Sequence, residues 1–317
     1  MIATAPGKLI LTGEYAVLDG APALVIAIDR RVVARRKAGP VGSSVFLVAV
    51  AEELAKRRGA DDPSVKAAME IAVDSSALYD EGTKLGLGSS AAVTVAATAL
   101  ALSGERKLPV IDREEVLAVA MAAHAAGQRG RGSGADVAAA VHGNVIQYAK
   151  GQPVERLSWP KDVTLIPFFT GIAAKTTQLI ARMDEARAAN PAAVDAALAA
   201  VATASRAACQ ACAVKAPDIA GNALVSALSL AAHATDQLAA AAGFSLVPPV
   251  VTRARTAMSG LGGTAKTTGA GGGDVAIAVL PSREDVTIAR RLLIEAGCQL
   301  LDMSVDQTGV DLQPDAA

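Results

Sequence analysis

The sequence predicts an α+β protein, in which strands and helices follow one another without a regular strand–helix–strand repeat. Short apolar runs bounded by turn residues predict strands within residues 1–36, and again near residues 165 and 275. Alanine-rich stretches between residues 176 and 242 predict long helices. Hydrophobic residues make up 52% of the 317 residues, whereas aromatic residues make up only 3%. Small aliphatic side chains must therefore fill the core, which favours closely packed helices.

The N-terminal part mixes both kinds of element. Ala23–Ile28 and Val32–Arg36 are predicted strands, and the pair Asp19-Gly20 marks the turn before the first of them. Val45–Arg58 begins with apolar residues, takes helical spacing and ends in basic residues. A run of small residues, Val93–Leu102, predicts a further helix.

The next elements carry clear end signals. Asp112 is the predicted N-cap of a helix that runs to about Ala126, with two glutamates in its first turn. A glycine-rich turn, Gly130–Gly134, precedes a helix that begins near Asp136. Val145–Tyr148 is a predicted strand that closes this half of the chain.

A domain junction is predicted between Gly151 and Lys161, because this segment holds two prolines. The predicted domains are therefore residues 1–160 and 161–317. The elements predicted for the second domain are a strand at Leu165–Phe169, helices at Thr176–Ala188, Pro191–Val214 and Pro217–Ala242, a glycine-rich loop at Gly262–Gly273, a strand at Val275–Leu280, a helix at Ser282–Ala296 and a terminal strand or two.

Charge and composition exclude several classes of function. The net charge is −1, so nothing favours a nucleic acid or an anionic membrane as a partner. We expect no transmembrane helix and no signal peptide. The cysteines are Cys209, Cys212 and Cys298, a sparse and odd set that predicts reduced thiols in a cytoplasmic protein. Cys209 and Cys212 have C-x-x-C spacing, but burial as small side chains accounts for them better than metal or redox chemistry.

The segment Lys84–Ala92 is the most informative one, because two glycines and two serines open directly into a small-residue helix. Glycine allows the backbone to approach a ligand, and a helix N-terminus attracts phosphate. The segment therefore predicts an anion cradle built from backbone. It lacks the Gly-Lys-[Ser/Thr] ending of a P-loop. The alternative is a tight turn before a buried helix.

Two further glycine-bearing segments add to this pattern. In Ala5–Tyr15, Lys8 lies in an otherwise apolar strand, where an ammonium group needs an anionic partner unless it extends to the surface. In Lys266–Asp274, the glycine run indicates close backbone contact with a ligand rather than a flexible linker, because a strand follows at once. Gly260–Thr267 nearly matches the P-loop pattern, but Ala265 occupies the position of the second glycine of that pattern.

One acid stands out. Asp136 follows the tight turn Gly132-Ser133-Gly134-Ala135 and precedes an apolar helix. It is either an N-cap or a group that orients and deprotonates a hydroxyl. Arg129 and Arg131 flank the turn and would suit a nearby anion.

Taken together, these segments resemble the GHMP kinases, the family named after galacto-, homoserine, mevalonate and phosphomevalonate kinases. The three family motifs occur in order, in Pro6–Tyr15, in Gly86–Ala92 and in Lys266–Asp274. The resemblance covers nearly the whole chain. It implies a two-domain fold, with an N-terminal ribosomal-S5-like half that contains a left-handed βαβ crossover and a C-terminal ferredoxin-like half.

Within the family, the chain looks most like phosphomevalonate kinases of the bacterial type. Lys84 precedes the second motif, where mevalonate kinases usually carry a proline-led version, and Gly132–Ala139 is similar to the phosphomevalonate kinase pattern. Val275-Ala276 departs from the Cys-Gly that is common in phosphomevalonate kinases. His124–Gln128 holds no carboxylate, whereas mevalonate kinases carry a metal-binding glutamate on this helix. Mevalonate kinase or another small-alcohol kinase stays the alternative, followed by an ATP-dependent decarboxylase and a sensor without catalysis.

The resemblance implies transfer of a phosphoryl group from ATP, with Mg²⁺, to 5-phosphomevalonate. These small molecules are the expected partners, and the protein is expected to be a cytoplasmic monomer or homodimer that binds no nucleic acid and no membrane. The implied catalytic residues are Lys8, Lys84 and Asp136. The implied nucleotide-binding residues are Gly86, Leu87, Gly88, Ser89, Ser90 and Ala91, with Ser90 also contacting the metal. The implied substrate-binding residues are Glu14, Tyr15, Arg131, Ser133, Gly134, Lys266, Gly271 and Gly272.

Overall fold

The computed structural model describes residues 1–37, 44–80, 82–104, 110–130, 132–214, 216–281 and 285–314. The helices are α1 (Val45–Arg58), α2 (Pro63–Met69), α3 (Ser89–Leu102), α4 (Arg113–Gly127), α5 (Ala135–His142), α6 (Thr176–Ala189), α7 (Pro191–Ala213), α8 (Pro217–Ala242), α9 (Pro249–Ser259) and α10 (Val286–Glu295). The strands are β1 (Ile2–Thr12), β2 (Ala23–Arg36), β3 (Ile71–Asp74), β4 (Tyr79–Asp80), β5 (Thr83–Lys84), β6 (Val145–Tyr148), β7 (Glu155–Leu157), β8 (Thr164–Phe169), β9 (Thr264–Thr267), β10 (Val275–Leu280), β11 (Gln299–Leu300) and β12 (Asp311–Gln313).

The first sheet is antiparallel and has the order β12-β1-β2-β6-β7, with β3 paired to the far end of β2. β1 and β2 shift register between Pro6 and Gly7. A proline cannot donate a ladder hydrogen bond, so an irregularity at this point is expected. After the shift, Lys8 pairs with Ala27. Helix α3 packs on β1 and β2, and its alanines are almost completely buried.

The second sheet is also antiparallel, with the order β11-β8-β10-β9. In chain order this is 4-1-3-2, the ferredoxin-like arrangement that the resemblance implies. Helices α9 and α10 cover one face of it through Val251, Met258 and Leu293. Strand β12 leaves this half of the chain and pairs with β1 in the first sheet. The chain therefore returns to its N-terminal sheet before it ends.

Helices α7 and α8 form a hairpin, and Leu224, Leu228 and Leu238 on α8 are buried. By length and composition α7 is apolar enough to cross a membrane, contrary to the sequence expectation, but half of that apolar stretch is buried inside the protein. It packs on α8 and β2, as a core helix does. Cys209 and Cys212 are buried in the same core, where burial raises the pKa of both thiols to about 12.

Several element boundaries differ from the sequence expectations. β2 is one continuous strand, because its two predicted parts share a single ladder with β1. α3 begins at Ser89 rather than at Val93, so the serines of the cradle are helical. β7 lies inside the predicted domain junction and pairs with β6. β9 occupies the start of the predicted loop at Gly262–Gly273, and its four residues are buried.

Candidate active site

A cavity of about 850 Å³ lies where the three glycine-bearing segments meet. The turn between α4 and α5 and the segment 173–177 complete its wall. Predicted site residues that line it are Lys8, Glu14, Tyr15, Lys84, Gly86, Gly88, Ser89, Ser90, Ser133, Asp136 and Gly271. Residues far apart in the sequence are therefore brought to one site.

The N-terminus of α3 opens on this cavity. Gly88 is its N-cap and has a φ of 78°, a left-handed conformation that favours glycine. A β-carbon at this position would lie 3.0 Å from Cε of Lys8. The first backbone N–H groups of a helix have no intrahelical acceptor, and in the described part of the chain no side chain caps this helix. These donors, with the helix dipole, suit a phosphate group.

Lys8 approaches the cradle from β1. Its backbone N–H donates to the carbonyl of Leu87 at 2.9 Å, and its ammonium group donates to the carbonyl of Gly86 at 3.2 Å. Burial lowers the pKa of Lys8 below its usual range, while the charges of Asp136 and Asp274 oppose this effect. Lys84, an exposed residue at the end of β5, contributes a second positive charge to the cavity and lowers the pKa of Lys8 further.

Asp136 lies in the first turn of α5, one residue after the helix starts. The N-cap is Gly134, with a φ of 86°, so the alternative in which Asp136 caps the helix is wrong. Ser133 contributes to the helix start, because its hydroxyl accepts from the N–H of Ala135 at 3.2 Å. The carboxylate of Asp136 accepts from the N–H of Val137 at 3.1 Å and faces the cavity.

Asp274 is a second carboxylate on the cavity wall that the sequence analysis did not assign to the site. It ends the third glycine segment with a φ of 55°, and its Oδ1 accepts from the N–H of Ala174 at 2.9 Å. Its carboxyl group fills the space in front of Gly86. Burial raises the pKa of Asp274, and Lys8 and Lys84 oppose this effect. An acid placed directly between a glycine run and a buried strand was the available signal.

Lys266 does not line the cavity, which corrects its expected contact with substrate. It is 1% exposed, and its ammonium group donates to the carbonyls of Leu11 at 2.6 Å and Thr267 at 2.7 Å. It also forms a short ion pair with Glu14. The sequence analysis placed Lys266 in a loop, but it lies in strand β9, whose four residues are buried. Its side chain is therefore enclosed in the interior.

Gly134, Gly272, Leu87 and Ala91 also lie outside the cavity wall. Gly272 packs against Leu179 on α6, and the side chains of Leu87 and Ala91 belong to the core. Gly134 shapes the start of α5. Any role of these residues in binding therefore passes through the backbone. Arg131 lies outside the described residues.

Hydrogen bonds to other elements hold the third glycine-bearing segment in place. Gly269 donates to the carbonyl of Ile10 at 3.0 Å, and Gly272 donates to the carbonyl of Leu246 at 2.7 Å. The hydroxyl of Tyr15 donates to the carbonyl of Ala270 at 2.7 Å. Since these groups already have partners, the segment acts as a fixed wall of the cavity. Arg129, which the sequence analysis considered as an anion contact, also lines the cavity and is exposed.

The donor set fits Mg²⁺ that is held mainly by nucleotide phosphates. This ion takes oxygen ligands and usually binds proteins through only one or two side chains. The hydroxyl of Ser90 and the carboxylates of Asp136 and Asp274 line the same cavity. No cluster of three or more histidine, cysteine or acidic side chains that could hold a metal occurs among the described residues.

Comparisons with known proteins agree with this geometry. Residues 43–144 match the family model for the GHMP kinases N terminal domain. The chain is 28% identical to phosphomevalonate kinase of Streptomyces sp. (strain CL190), over 96% of this chain and 97% of that protein. It is 31% identical to mevalonate kinase of Aeropyrum pernix, over 56% of this chain and 60% of that protein.

Among solved structures, phosphomevalonate kinase of Streptococcus pneumoniae, in complex with phosphomevalonate and AMPPNP, superposes with a TM-score of 0.77. The alignment covers 96% of this chain and 99% of that one at 18% sequence identity. The expected fold class and the resemblance drawn from the three motifs are thereby confirmed.

Proposed function

Since residues 43–144 match the GHMP kinases N terminal domain and 96% of the chain superposes on a phosphomevalonate kinase, we propose that this protein is an ATP-dependent phosphomevalonate kinase. It transfers the γ-phosphoryl group of ATP to the phosphate of 5-phosphomevalonate, which yields 5-diphosphomevalonate and ADP. The observation that carries this proposal is the full-length similarity to the Streptomyces enzyme, joined to a cavity where a helix N-terminus, two lysines and two aspartates meet.

The N-terminus of α3 is the binding site for the nucleotide phosphates. Its free N–H groups and its dipole act on the oxygens of the β- and γ-phosphates, and the left-handed Gly88 leaves the backbone accessible. Mg²⁺ would neutralise phosphate charge when it is bound, and the hydroxyl of Ser90 would be a ligand for it. The complex of the Streptococcus protein with AMPPNP supports ATP as the donor.

Lys8 and Lys84 offset the negative charge of two phosphate groups that must approach each other. Phosphoryl transfer depends mainly on positioning and on electrostatic stabilisation. Lys8 is held by β1 and by the carbonyl of Gly86, so its ammonium group is oriented before the substrates bind. Lys84 is exposed at the rim and is free to adjust to the substrate.

Asp136 orients the acceptor rather than acting as a strong base. The second pKa of a phosphate monoester is roughly 6, so the attacking oxygen is already ionised at neutral pH. A carboxylate beside Lys8 keeps the ammonium group charged and in place. Tyr15, Ser133 and Arg129 line the same cavity and are candidates for contacts with the remainder of the acceptor.

Mevalonate kinase is the second candidate, because a mevalonate kinase is also similar over part of the chain. An alcohol acceptor requires a base, and Asp136 could serve. However, the residues near Ser90 at this end of α4 are His124 and, directly after the helix, Gln128, and neither is a carboxylate. The Streptomyces enzyme is also similar over nearly the whole length. We therefore favour the phosphorylated acceptor.

The test is a coupled assay for ADP release, run in parallel with mevalonate and 5-phosphomevalonate, with the product identified by ³¹P NMR. We expect turnover with 5-phosphomevalonate and the two coupled resonances of a diphosphate ester. Turnover with mevalonate alone, giving a single monoester resonance, would reject the assignment. The variant Lys8→Met serves as a control for contaminating kinases.

We also propose a cytoplasmic location and a monomer or homodimer in solution. The three cysteines are free and buried, which supports a reducing compartment. Light scattering coupled to size-exclusion chromatography tests the oligomeric state.

A further inference from the structure

His124 occupies a fixed position behind Ser90. It lies on α4, is 3% exposed, and its ring stacks on Phe46 with the centroids 5.4 Å apart. Gly127 makes this stacking possible, because a β-carbon there would lie 2.7 Å from Cδ1 of Phe46. The imidazole is therefore held between its own helix and an aromatic ring.

One nitrogen of this ring faces side chains from two other helices and from the residue that follows its own helix. Nε2 of His124 lies 3.1 Å from Oγ of Ser90 in α3 and 3.2 Å from Nε2 of Gln128, which directly follows α4. Oδ2 of Asp136 in α5 lies 3.9 Å from the same nitrogen. The ring thus fills the space between the serine of the phosphate cradle and the aspartate of the acceptor site.

The tautomer of the ring decides the direction of these hydrogen bonds. When the ring proton is on Nδ1, Nε2 carries one lone pair and accepts a hydrogen bond. The hydroxyl of Ser90, 3.1 Å away, is then a donor to Nε2. When the Ser90 hydroxyl donates its proton to His124, the oxygen lone pairs of Ser90 are available to a cation in the cavity. A freely rotating hydroxyl could instead direct its proton toward that cation.

We propose that His124, with its ring proton on Nδ1, is a positioning residue, which orients the Ser90 hydroxyl toward the Mg²⁺ that accompanies the nucleotide. This inference rests on the proposed function, since it assigns a role within the same nucleotide site. Partners of this kind, one step removed from a metal, commonly contribute about 10- to 100-fold to metal affinity or activity. His124 itself is not among the residues that line the cavity.

The experiment measures AMPPNP affinity by calorimetry, once with saturating Mg²⁺ and once in EDTA, without any acceptor. His124→Phe keeps the ring and its stacking but removes the nitrogen. We expect this variant to reduce the ratio of the AMPPNP affinity with Mg²⁺ to that in EDTA about 10-fold or more. The affinity measured in EDTA should change little. His124→Gln places an acceptor near the position of Nε2 and should recover most of the ratio.

A double-mutant cycle with Ser90→Ala separates this role from general packing. In the Ser90→Ala background, His124→Phe should change the ratio no further. His233→Phe, an exposed histidine on α8, is the matched control and should behave as wild type.

Three results would overturn the proposal. The first is an unchanged ratio of AMPPNP affinities in His124→Phe. The second is an equal loss of AMPPNP affinity with Mg²⁺ and in EDTA. The third is a further fall in the ratio when His124→Phe is added to Ser90→Ala. A wild-type protein that binds AMPPNP with the expected Mg²⁺ dependence but does not use 5-phosphomevalonate would reject only the acceptor. A wild-type protein without Mg²⁺-dependent binding would reject both proposals.

Discussion

Glu14 and Lys266 form an ion pair in which each side chain is only 1% exposed. Glu14 follows β1 of the first sheet, and Lys266 lies in β9 of the second sheet. The pair therefore joins the two sheets directly beside the cavity. Two backbone carbonyls complete the coordination of the ammonium group. Among the described residues, no hydrogen-bond partner reaches the second carboxylate oxygen of Glu14.

Lys266→Met should destabilise the protein by about 3–5 kcal/mol, because it leaves the buried carboxylate of Glu14 uncompensated. The double variant Glu14→Gln, Lys266→Met should recover much of this loss. Urea unfolding followed by circular dichroism measures both. Arg187→Met breaks an exposed pair with Asp19 and Asp195 and is the matched control, with an expected cost below about 1 kcal/mol. Equal effects of Lys266→Met and Arg187→Met would show that the buried pair is unimportant.

Lys8→Met should lower kcat by about 10²- to 10³-fold, because it removes a preorganised positive group from the transferring phosphate. The fold should be retained, since the methionine stem fills the same space. Steady-state kinetics and thermal unfolding measure the two effects. Lys56→Met, an exposed lysine in the last turn of α1, is the control. Near-normal turnover of Lys8→Met would remove Lys8 from the chemistry.

Asp136→Asn should reduce kcat by less than about 10²-fold, which is below the contribution of most general bases. The reason is that the phosphate acceptor is already ionised and needs positioning rather than deprotonation. Rapid-quench measurement of a single turnover reports the chemical step directly. Complete loss of turnover while both substrates still bind would mean that Asp136 acts as an essential base.

Gly88→Ala should weaken AMPPNP binding, because the added methyl group displaces the side chain of Lys8. The left-handed backbone adds a cost of about 1–2 kcal/mol for any residue other than glycine. Gly20→Ala is the control, since Gly20 has a φ of 88° but no atoms within 4 Å of the added carbon. We expect both variants to lose stability and only Gly88→Ala to lose affinity. Equal affinity of the two would show that the close contact with Lys8 has no effect on the cradle.

The pH profiles should report the lowered pKa of Lys8. An ordinary lysine has a pKa of about 10.4, and burial lowers the pKa of Lys8 below this value. Activity needs the ammonium form, so it should fall as the pH rises through this lowered pKa. Bound phosphates favour the charged form, and the alkaline limb of kcat should therefore lie at higher pH than that of kcat/KM. Coinciding limbs would indicate that Lys8 does not face the phosphates.

Local chemistry made parts of the fold predictable. Asp112 caps α4 through the N–H of Glu115, and α1 and β6 have the predicted bounds. Each of these signals involves residues within one or two turns of each other. The glycine segments were predictable for the same reason, because a left-handed backbone or a close approach requires glycine.

Other features of the site depend on contacts between distant residues. Lys266 is separated from Glu14 by 252 positions, and its place on a buried strand follows from pairing with β10. Nothing in the local sequence distinguishes His124 from any other histidine on a helix. Only the packing of α3 and α5 against α4 brings it close to Ser90 and Asp136.

The sequence by itself determined the three motifs, their order and the residue types that can bind a phosphate, because these follow from local backbone chemistry. Tertiary structure alone decided which of those residues reach the cavity and which support it from the interior. The physical reason is that burial and charge pairing depend on neighbours supplied by other elements. Lys8 and Lys266 are each a lysine on a strand in a glycine-bearing segment, yet one opens on the cavity and the other is enclosed.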